Sequence, residues 1–116
     1  MSDFLYIDPP PLDYGSMSVQ DIDKGFLMDC TANMTARSDT IISVAAPQIM
    51  RTDGQTINSA DITVSNVSVL TGGLKFGWTI TGNGNTSTYI VNFPLTLNSG
   101  SVIWRAIKIK VFPAIG

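Results

Sequence analysis

The clearest pattern in the chain is an alternation of apolar and polar residues towards its C-terminal end. Apolar side chains recur at every second position of residues 89–97 and at most alternate positions of residues 103–111. Asn98-Ser99-Gly100, a run of turn-favouring residues, separates the two stretches. Because successive side chains of a strand point to opposite faces of a sheet, the pattern predicts a β-hairpin with one buried face.

The preceding residues carry weaker strand patterns separated by turn signals. Strands are predicted over residues 26–31, 40–50, 61–70 and 74–80. Residues 33–39 are predicted to be a polar connection, and no stretch shows a helical period. These features predict an all-β fold, an immunoglobulin-like β-sandwich, with a small barrel as the alternative.

Two of these predicted strands contain an irregularity. Pro47 lies inside the second one, and since proline has no N–H for the ladder, an edge position or a bend is expected there. In the third, the apolar residues change face between Val64 and Val67, which predicts a β-bulge near Ser65-Asn66.

Residues 1–22 differ from the rest and predict an extended, acidic arm, followed by a sandwich domain over residues 23–116. The arm contains Pro9-Pro10-Pro11, several Asp residues and no Lys or Arg. Fully extended, it could reach about 70 Å at about 3.3 Å per residue. It could therefore lie across a neighbouring molecule, or else pack on its own domain or be disordered in solution.

Composition limits the functional classes. Only 14% of residues are charged, against about 25% in an average globular protein, so the surface is either rich in Ser, Thr and Asn or covered by partners. The net charge of −2 gives no electrostatic reason to expect nucleic acid as a partner. No apolar run approaches the length of a membrane span and the start lacks a signal-peptide pattern, so synthesis in the cytoplasm and no membrane partner are expected.

Catalytic chemistry is not expected. The sequence has no His, which removes the usual general bases and the common imidazole metal sites. Cys30, the single cysteine, is predicted to face the core as a small apolar side chain. We therefore predict no enzyme activity, no cofactor and no metal.

The charge layout predicts an interaction surface. The arm is purely acidic, whereas the last predicted strand carries basic residues, two of them on one face. The arm of one copy could lie against the terminal strand of the next and close a homo-oligomeric ring, or the lysines could protect an edge strand from aggregation. The candidate residues are Phe4, Tyr6, Asp8, Asp13 and Tyr14 in the arm, and Trp104, Arg105, Lys108 and Lys110 in the terminal strand.

Several short motifs of the chain form a recognisable set. They are Asp29, Asp39-Thr40-Ile41, Gly72-Gly73, Thr88-Tyr89 with Val91, Thr96, Asn98-Ser99-Gly100, and Arg105, Ile107, Ile109 and Val111. This set resembles the small immunoglobulin-like fibre-tail adaptors of tailed bacteriophages. The similarity covers roughly residues 23–112, and the spacing from Gly73 through Gly77 to Tyr89 departs from the family pattern.

The resemblance implies a structural protein of the virion tail, made in the host cytoplasm. Such a protein would form a ring that contacts the tail and the tail fibres. Two other functions stay open: a head decoration protein that binds the capsid lattice, and a carbohydrate-binding module. The last would need an exposed aromatic residue, for which Trp104 is the candidate because it shares a predicted face with Lys108 and Lys110.

Overall fold

The structure, a computed structural model, describes residues 12–18, 21–22, 24–52, 62–82 and 86–112. Within these residues the chain forms strands and one short helix. Their bounds are β1 (Leu12–Ser18), β2 (Lys24–Asp29), α1 (Thr31–Arg37), β3 (Ile41–Val44), β4 (Gln48–Arg51), β5 (Ile62–Val69), β6 (Lys75–Gly82), β7 (Ser87–Leu97) and β8 (Val102–Phe112).

The strands form two sheets that pack face to face. The larger sheet has the order β1-β8-β7-β3, and β4 also pairs with β7; the smaller has the order β2-β6-β5. The predicted all-β sandwich is therefore confirmed. Its immunoglobulin-like type stays a prediction.

The hairpin of β7 and β8 is the centre of the larger sheet. The two strands pair antiparallel from Ser87 opposite Val111 to Thr96 opposite Val102. Every second residue of β7 from Tyr89 to Leu97 is fully buried, as the alternating sequence predicts. The hairpin thus supplies most of one wall of the core.

The opposite wall comes from β6, which lies between β2 and β5. Its inward residues Phe76, Trp78 and Ile80 are buried. The rings of Trp78 and Phe93 approach to 4.7 Å between centroids and join the two sheets through aromatic contact.

The predicted irregularities of β5 and of the second strand are both present. The pairing of β5 with β6 shifts register between Ser65 and Ser68, and Asn66 has a φ of 55°, so the predicted β-bulge is confirmed. The predicted strand 40–50 is divided into β3 and β4 around Pro47, and both pair with β7.

Helix α1 corrects the prediction for residues 31–39. The predicted first strand ends at Asp29 rather than residue 31, and a helix of 7 residues occupies most of the predicted polar connection. Only Met34 of this helix is buried, so its length and its single apolar anchor give no detectable period in the sequence. Ser38, with a φ of 52°, ends the helix in the left-handed conformation.

Candidate interaction surface

Strand β1 belongs to the segment predicted to form the arm, and it lies on the terminal strand of its own chain. It pairs with β8 in parallel, which places Asp13 beside Lys108 and Ser16 beside Lys110. The register shifts between Asp13 and Ser16, where Gly15 has a φ of 83°. The acidic and basic segments singled out in the sequence are thus neighbours in one sheet.

Tyr14 links β1 to the smaller sheet. Its ring lies 5.6 Å from that of Trp78 and 6.0 Å from that of Phe26, measured between centroids. Its hydroxyl donates a hydrogen bond of 2.7 Å to the carbonyl of Leu27 on β2. Burial raises the pKa of Tyr14, and Cys30 makes a smaller electrostatic contribution in the same direction, so the phenol keeps its proton and remains a donor.

Met17 gives β1 a second anchor. This side chain is fully buried in the common core, although Tyr14 three positions earlier also points inward. The register shift at Gly15 lets residues of different parity reach the interior. Strand β1 therefore contacts both sheets through a short segment.

Lys108 and Lys110 are exposed on β8 and have no hydrogen bond or ion pair with any residue that the structure describes. The nearby Asp13 carboxylate instead accepts a hydrogen bond of 2.8 Å from the backbone N–H of Gly15. Together with Ser16 and Thr88, these residues border a groove of about 330 Å³. Within the described residues, neither ammonium group is neutralised by an ion pair.

Arg105 and Trp104 differ from the two lysines in their surroundings. The guanidinium of Arg105 donates to the carbonyl of Trp104 at 2.8 Å and to the side-chain oxygen of Asn33 on α1 at 3.1 Å. Arg105 therefore fixes the helix against β8. Trp104 is partly exposed and lies opposite Pro94 of β7. The remaining candidates, Phe4, Tyr6 and Asp8, lie outside the described residues.

Three of the motifs that carry the family resemblance meet at one end of the sandwich. Ser99, in the turn of the β7–β8 hairpin, donates backbone and side-chain hydrogen bonds to the Asp39 carboxylate. The backbone N–H of Asn98 donates to the carbonyl of Thr40 at 2.8 Å, and that of Ile41 donates to the carbonyl of Gly73 at 2.8 Å. We call these residues the turn cluster. Its contacts hold three chain segments together, so the motif residues in this cluster have a structural role.

Hydrogen bonding within the turn cluster gives a pH-dependence prediction. The Ser99 hydroxyl, helped by the backbone N–H groups of Thr40 and Ser99, lowers the pKa of Asp39. A carboxyl group whose pKa is lower when folded stabilises the fold above its unfolded pKa, and this contribution is lost as the pH falls through the folded pKa. We expect the stability difference between wild type and Asp39→Asn to shrink between pH 6 and pH 3, measured as urea midpoints.

The Ser99→Ala variant is the matched test of this cause. It keeps the carboxylate and removes the hydroxyl that contributes most to the lowered pKa. The urea midpoint of this variant should therefore fall less between pH 6 and pH 3 than that of the wild type. An unchanged acid dependence in Ser99→Ala would show that this hydrogen bond does not control the Asp39 titration.

Cys30 lies at the border of a second pocket, of about 210 Å³, between α1 and β8. The residue Cys30 is 7% exposed, which confirms the predicted core position. Burial raises the pKa of Cys30, although the Arg105 guanidinium acts in the opposite direction. The thiolate is thereby disfavoured, so the group is a poor nucleophile.

The described residues contain neither a metal cluster nor a membrane-spanning helix. Among the described residues, no group of three or more His, Cys, Asp or Glu side chains could hold a metal ion. No helix in the described ranges is long and apolar enough to span a membrane. Comparisons with protein-family models, with curated proteins and with solved structures found no match to this chain.

Sequence patterns did not identify three groups that contribute contacts to this surface. Met17 could not be recognised as a core residue, because the register shift at Gly15 breaks the alternation of inward and outward residues in β1. Asn33 gave no signal, since its contact with Arg105 joins residues far apart in the chain. The Leu27 carbonyl is a backbone group, for which side-chain patterns carry no information.

Proposed function

We propose that this chain is a non-enzymatic structural protein of a tailed-phage virion. In this role it assembles as an adaptor ring on the tail and attaches the tail fibres. The observation that carries the proposal is the placement of β1 on the basic strand β8. The assignment to the tail of a virion is supported by the resemblance of the turn-cluster motifs to fibre-tail adaptors.

The contacts of β1 suit exchange between copies. They consist of the ladder with β8, the Tyr14 hydrogen bond to Leu27, and the burial of Met17. Each is made by β1 itself with the rest of the sandwich, so a β1 supplied by a second copy makes the same contacts. Such exchange links subunits at little cost in contact energy, and a head-to-tail series closes into a ring when the rotation allows.

Charge supports the same arrangement. Lys108 lies beside Asp13 of β1, and neither Lys108 nor Lys110 forms an ion pair within the described part of the chain. Opposite charges on two assembling segments select the register and speed the encounter more than they raise affinity. The basic strand is thus suited to guide an acidic arm.

The chemistry of the described groups supports a non-enzymatic role. The thiol of Cys30 is buried with a raised pKa, and the sequence offers no His to activate it. Asp29 and Asp39 have lowered pKa values because Thr31 and Ser99, respectively, donate hydrogen bonds to them. These carboxylates are engaged in local structure and are poor proton donors near neutral pH.

The proposal predicts a defined oligomer that depends on the two lysines. The full chain should show by light scattering a mass several times that of the 12.5 kDa subunit. Lys108→Asp/Lys110→Asp should reduce it to monomer, because the reversed charges repel the acidic arm. The control Lys108→Arg/Lys110→Arg keeps both charges and should keep the oligomer. A wild-type chain that stays monomeric at high concentration would exclude a self-assembled ring.

A further inference from the structure

The groove bordered by Lys108 and Lys110 lies on the outer face of the larger sheet. Both lysines are exposed on β8, where they alternate with the buried residues Ile107 and Ile109. Two positions along a strand separate their Cα atoms by about 6.6 Å. The groove has a volume of about 330 Å³ and is lined by residues of β1, β7 and β8. Two ammonium groups therefore share one concave surface.

Other basic residues of the chain are placed differently. Lys24 forms an ion pair of 3.8 Å with Asp21, and Arg105 donates hydrogen bonds within the fold. Lys75 lies opposite Asp29 in the pairing of β2 with β6. The chain as a whole carries a net charge of −2. The positive charge of the groove is thus a local feature and does not follow from an overall basic composition.

Hydroxyl groups flank Lys110 on both sides. Thr88 of β7 and Ser16 of β1 each lie beside Lys110 in the register of the sheet. Residues paired in this way present their side chains on the same face, with Cβ atoms about 5 Å apart. Neither hydroxyl forms a hydrogen bond with a residue that the structure describes, and only the backbone carbonyls of these two residues accept one. The row therefore places an ammonium group between two free hydroxyl donors.

An irregularity in β1 gives the groove its depth. Asp13 and Ser16 are three positions apart, whereas their partners Lys108 and Lys110 are only two positions apart, so β1 contains one additional residue. Gly15 lies in this stretch with a φ of 83°, and a Cβ on it would meet no atom within 4 Å. The absent side chain thus leaves open space beside the lysines.

The carboxylate at the groove is turned towards its own backbone. Asp13 lies beside Lys108 but forms no ion pair with it, and accepts a hydrogen bond of 2.8 Å from the N–H of Gly15. The lining residues carry two positive charges and one negative charge, so the groove remains positive. Because Asp13 lies beside Lys108, an anion is favoured at the Lys110 end of the groove.

This arrangement of donors suits a tetrahedral oxyanion. Such an ion presents oxygens in several directions and can accept hydrogen bonds from three adjacent strands at once, whereas a carboxylate presents two oxygens in one plane. Lysine is a common phosphate ligand, and its hydrogen bonds to an anion are strengthened by charge. Its flexible stem allows the ammonium groups of Lys108 and Lys110 to approach the same ion.

We propose that this groove binds the dianionic phosphate group of a phosphate monoester. Lys110, Ser16 and Thr88 contact the phosphate oxygens, and Lys108 adds positive charge from two positions away. The site requires β1 in its place on β8, whether that strand comes from its own chain or from a second copy. The inference therefore does not depend on the proposed ring.

Phosphorus NMR of inorganic phosphate tests the site in the full chain, with chloride used to keep the ionic strength constant. Binding should broaden the phosphate resonance in a saturable manner. Lys110→Gln is expected to weaken the affinity about tenfold or more, because it removes a charged donor. Lys110→Arg keeps the charge and should bind as the wild type does. Lys75→Gln removes the same charge from the other sheet and should also leave the affinity unchanged.

Two further measurements test the hydroxyl donors and the shape of the ligand. Thr88→Val removes one hydroxyl at nearly constant size and should weaken phosphate binding several-fold. Sulfate, a tetrahedral dianion, should displace phosphate more effectively than succinate, a dianion with two carboxylates. Equal competition by succinate and sulfate would overturn the proposal, as would equal affinities of Lys110→Gln and Lys75→Gln. Neither result would change the oligomer mass measured by light scattering, which tests the ring separately.

The source of the phosphate group is distinguished by two probes. Displacement of inorganic phosphate by free glycerol phosphate would identify a soluble ester as the ligand. Cosedimentation with vesicles that contain phosphatidic acid, lost in Lys110→Gln and kept in Lys75→Gln, would identify a lipid headgroup. If inorganic phosphate binds but neither ester does, the groove holds an adventitious ion only and the proposal is wrong.

Discussion

Trp78→Ala is expected to lower the free energy of unfolding by about 3–5 kcal/mol, the usual cost of removing a buried large aromatic side chain. Trp78 is 2% exposed and contacts the rings of Tyr14, Phe76 and Phe93. Its loss leaves a cavity where β1 and both sheets meet. The measurement is a urea titration followed by circular dichroism.

Two control variants show whether the loss of stability comes from the packing of Trp78. Trp78→Phe removes the indole N–H but keeps an aromatic ring, and Trp104→Ala removes the other tryptophan. The indole N–H is buried and has no hydrogen-bond partner among the described residues. Trp78→Phe therefore removes no hydrogen bond in that part of the chain and should cost much less than Trp78→Ala. Trp104→Ala, at a partly exposed site, should cost about 1–2 kcal/mol. Equal losses for Trp78→Ala and Trp104→Ala would contradict the assignment of Trp78 to the core.

Gly73→Ala is expected to destabilise the protein by about 3 kcal/mol, which combines a left-handed backbone penalty with overpacking. Gly73 has a φ of 70°. A Cβ at this position would lie 2.9 Å from the carbonyl oxygen of Ile41 and 2.9 Å from the Cβ of Thr40. Because one of these contacts is with backbone, relief requires movement of the turn cluster itself.

Gly100→Ala provides the control in the same region of the fold. Gly100 also has a positive φ, 95°, but a Cβ there would meet no atom within 4 Å. It should therefore show only the backbone penalty, about 1–2 kcal/mol. The difference in urea midpoint between the two variants measures the steric part. If both variants lose the same stability, the close approach of Gly73 to β3 is not a constraint on the fold.

The strands could be predicted because the residues that identify each strand lie close together in the sequence. Phe76, Trp78 and Ile80 repeat with period two, and the change of parity between Val64 and Val67 predicted the bulge found in β5. Such patterns reflect which face of a strand meets the core, so they are visible in a few consecutive residues. Pro47 likewise marked the division between β3 and β4 without any tertiary knowledge.

The interaction surface was only partly predictable because it depends on long-range pairing. Acidic and basic segments could be recognised as complementary, but the sequence does not state that Asp13 lies beside Lys108 in parallel register. Helix α1 was missed because Met34 alone anchors it. The hydrogen bond from Arg105 to Asn33, which distinguishes this basic residue from Lys108 and Lys110, also depends on that helix.

The pairing of β1 with β8 has a consequence for biosynthesis. Leu12 and Ile107 are separated by almost the whole described chain, so a ribosome delivers β1 long before its partner strand. At about 5–20 residues per second this delay is on the order of 5–20 s. During that interval Tyr14 and Met17 have no β8 of their own chain to dock beside. If β1 exchanges between copies as proposed, a completed neighbour can offer its β8 first. Exchanged β1 strands would then be favoured where many copies are translated close together, and self-contained subunits where few are.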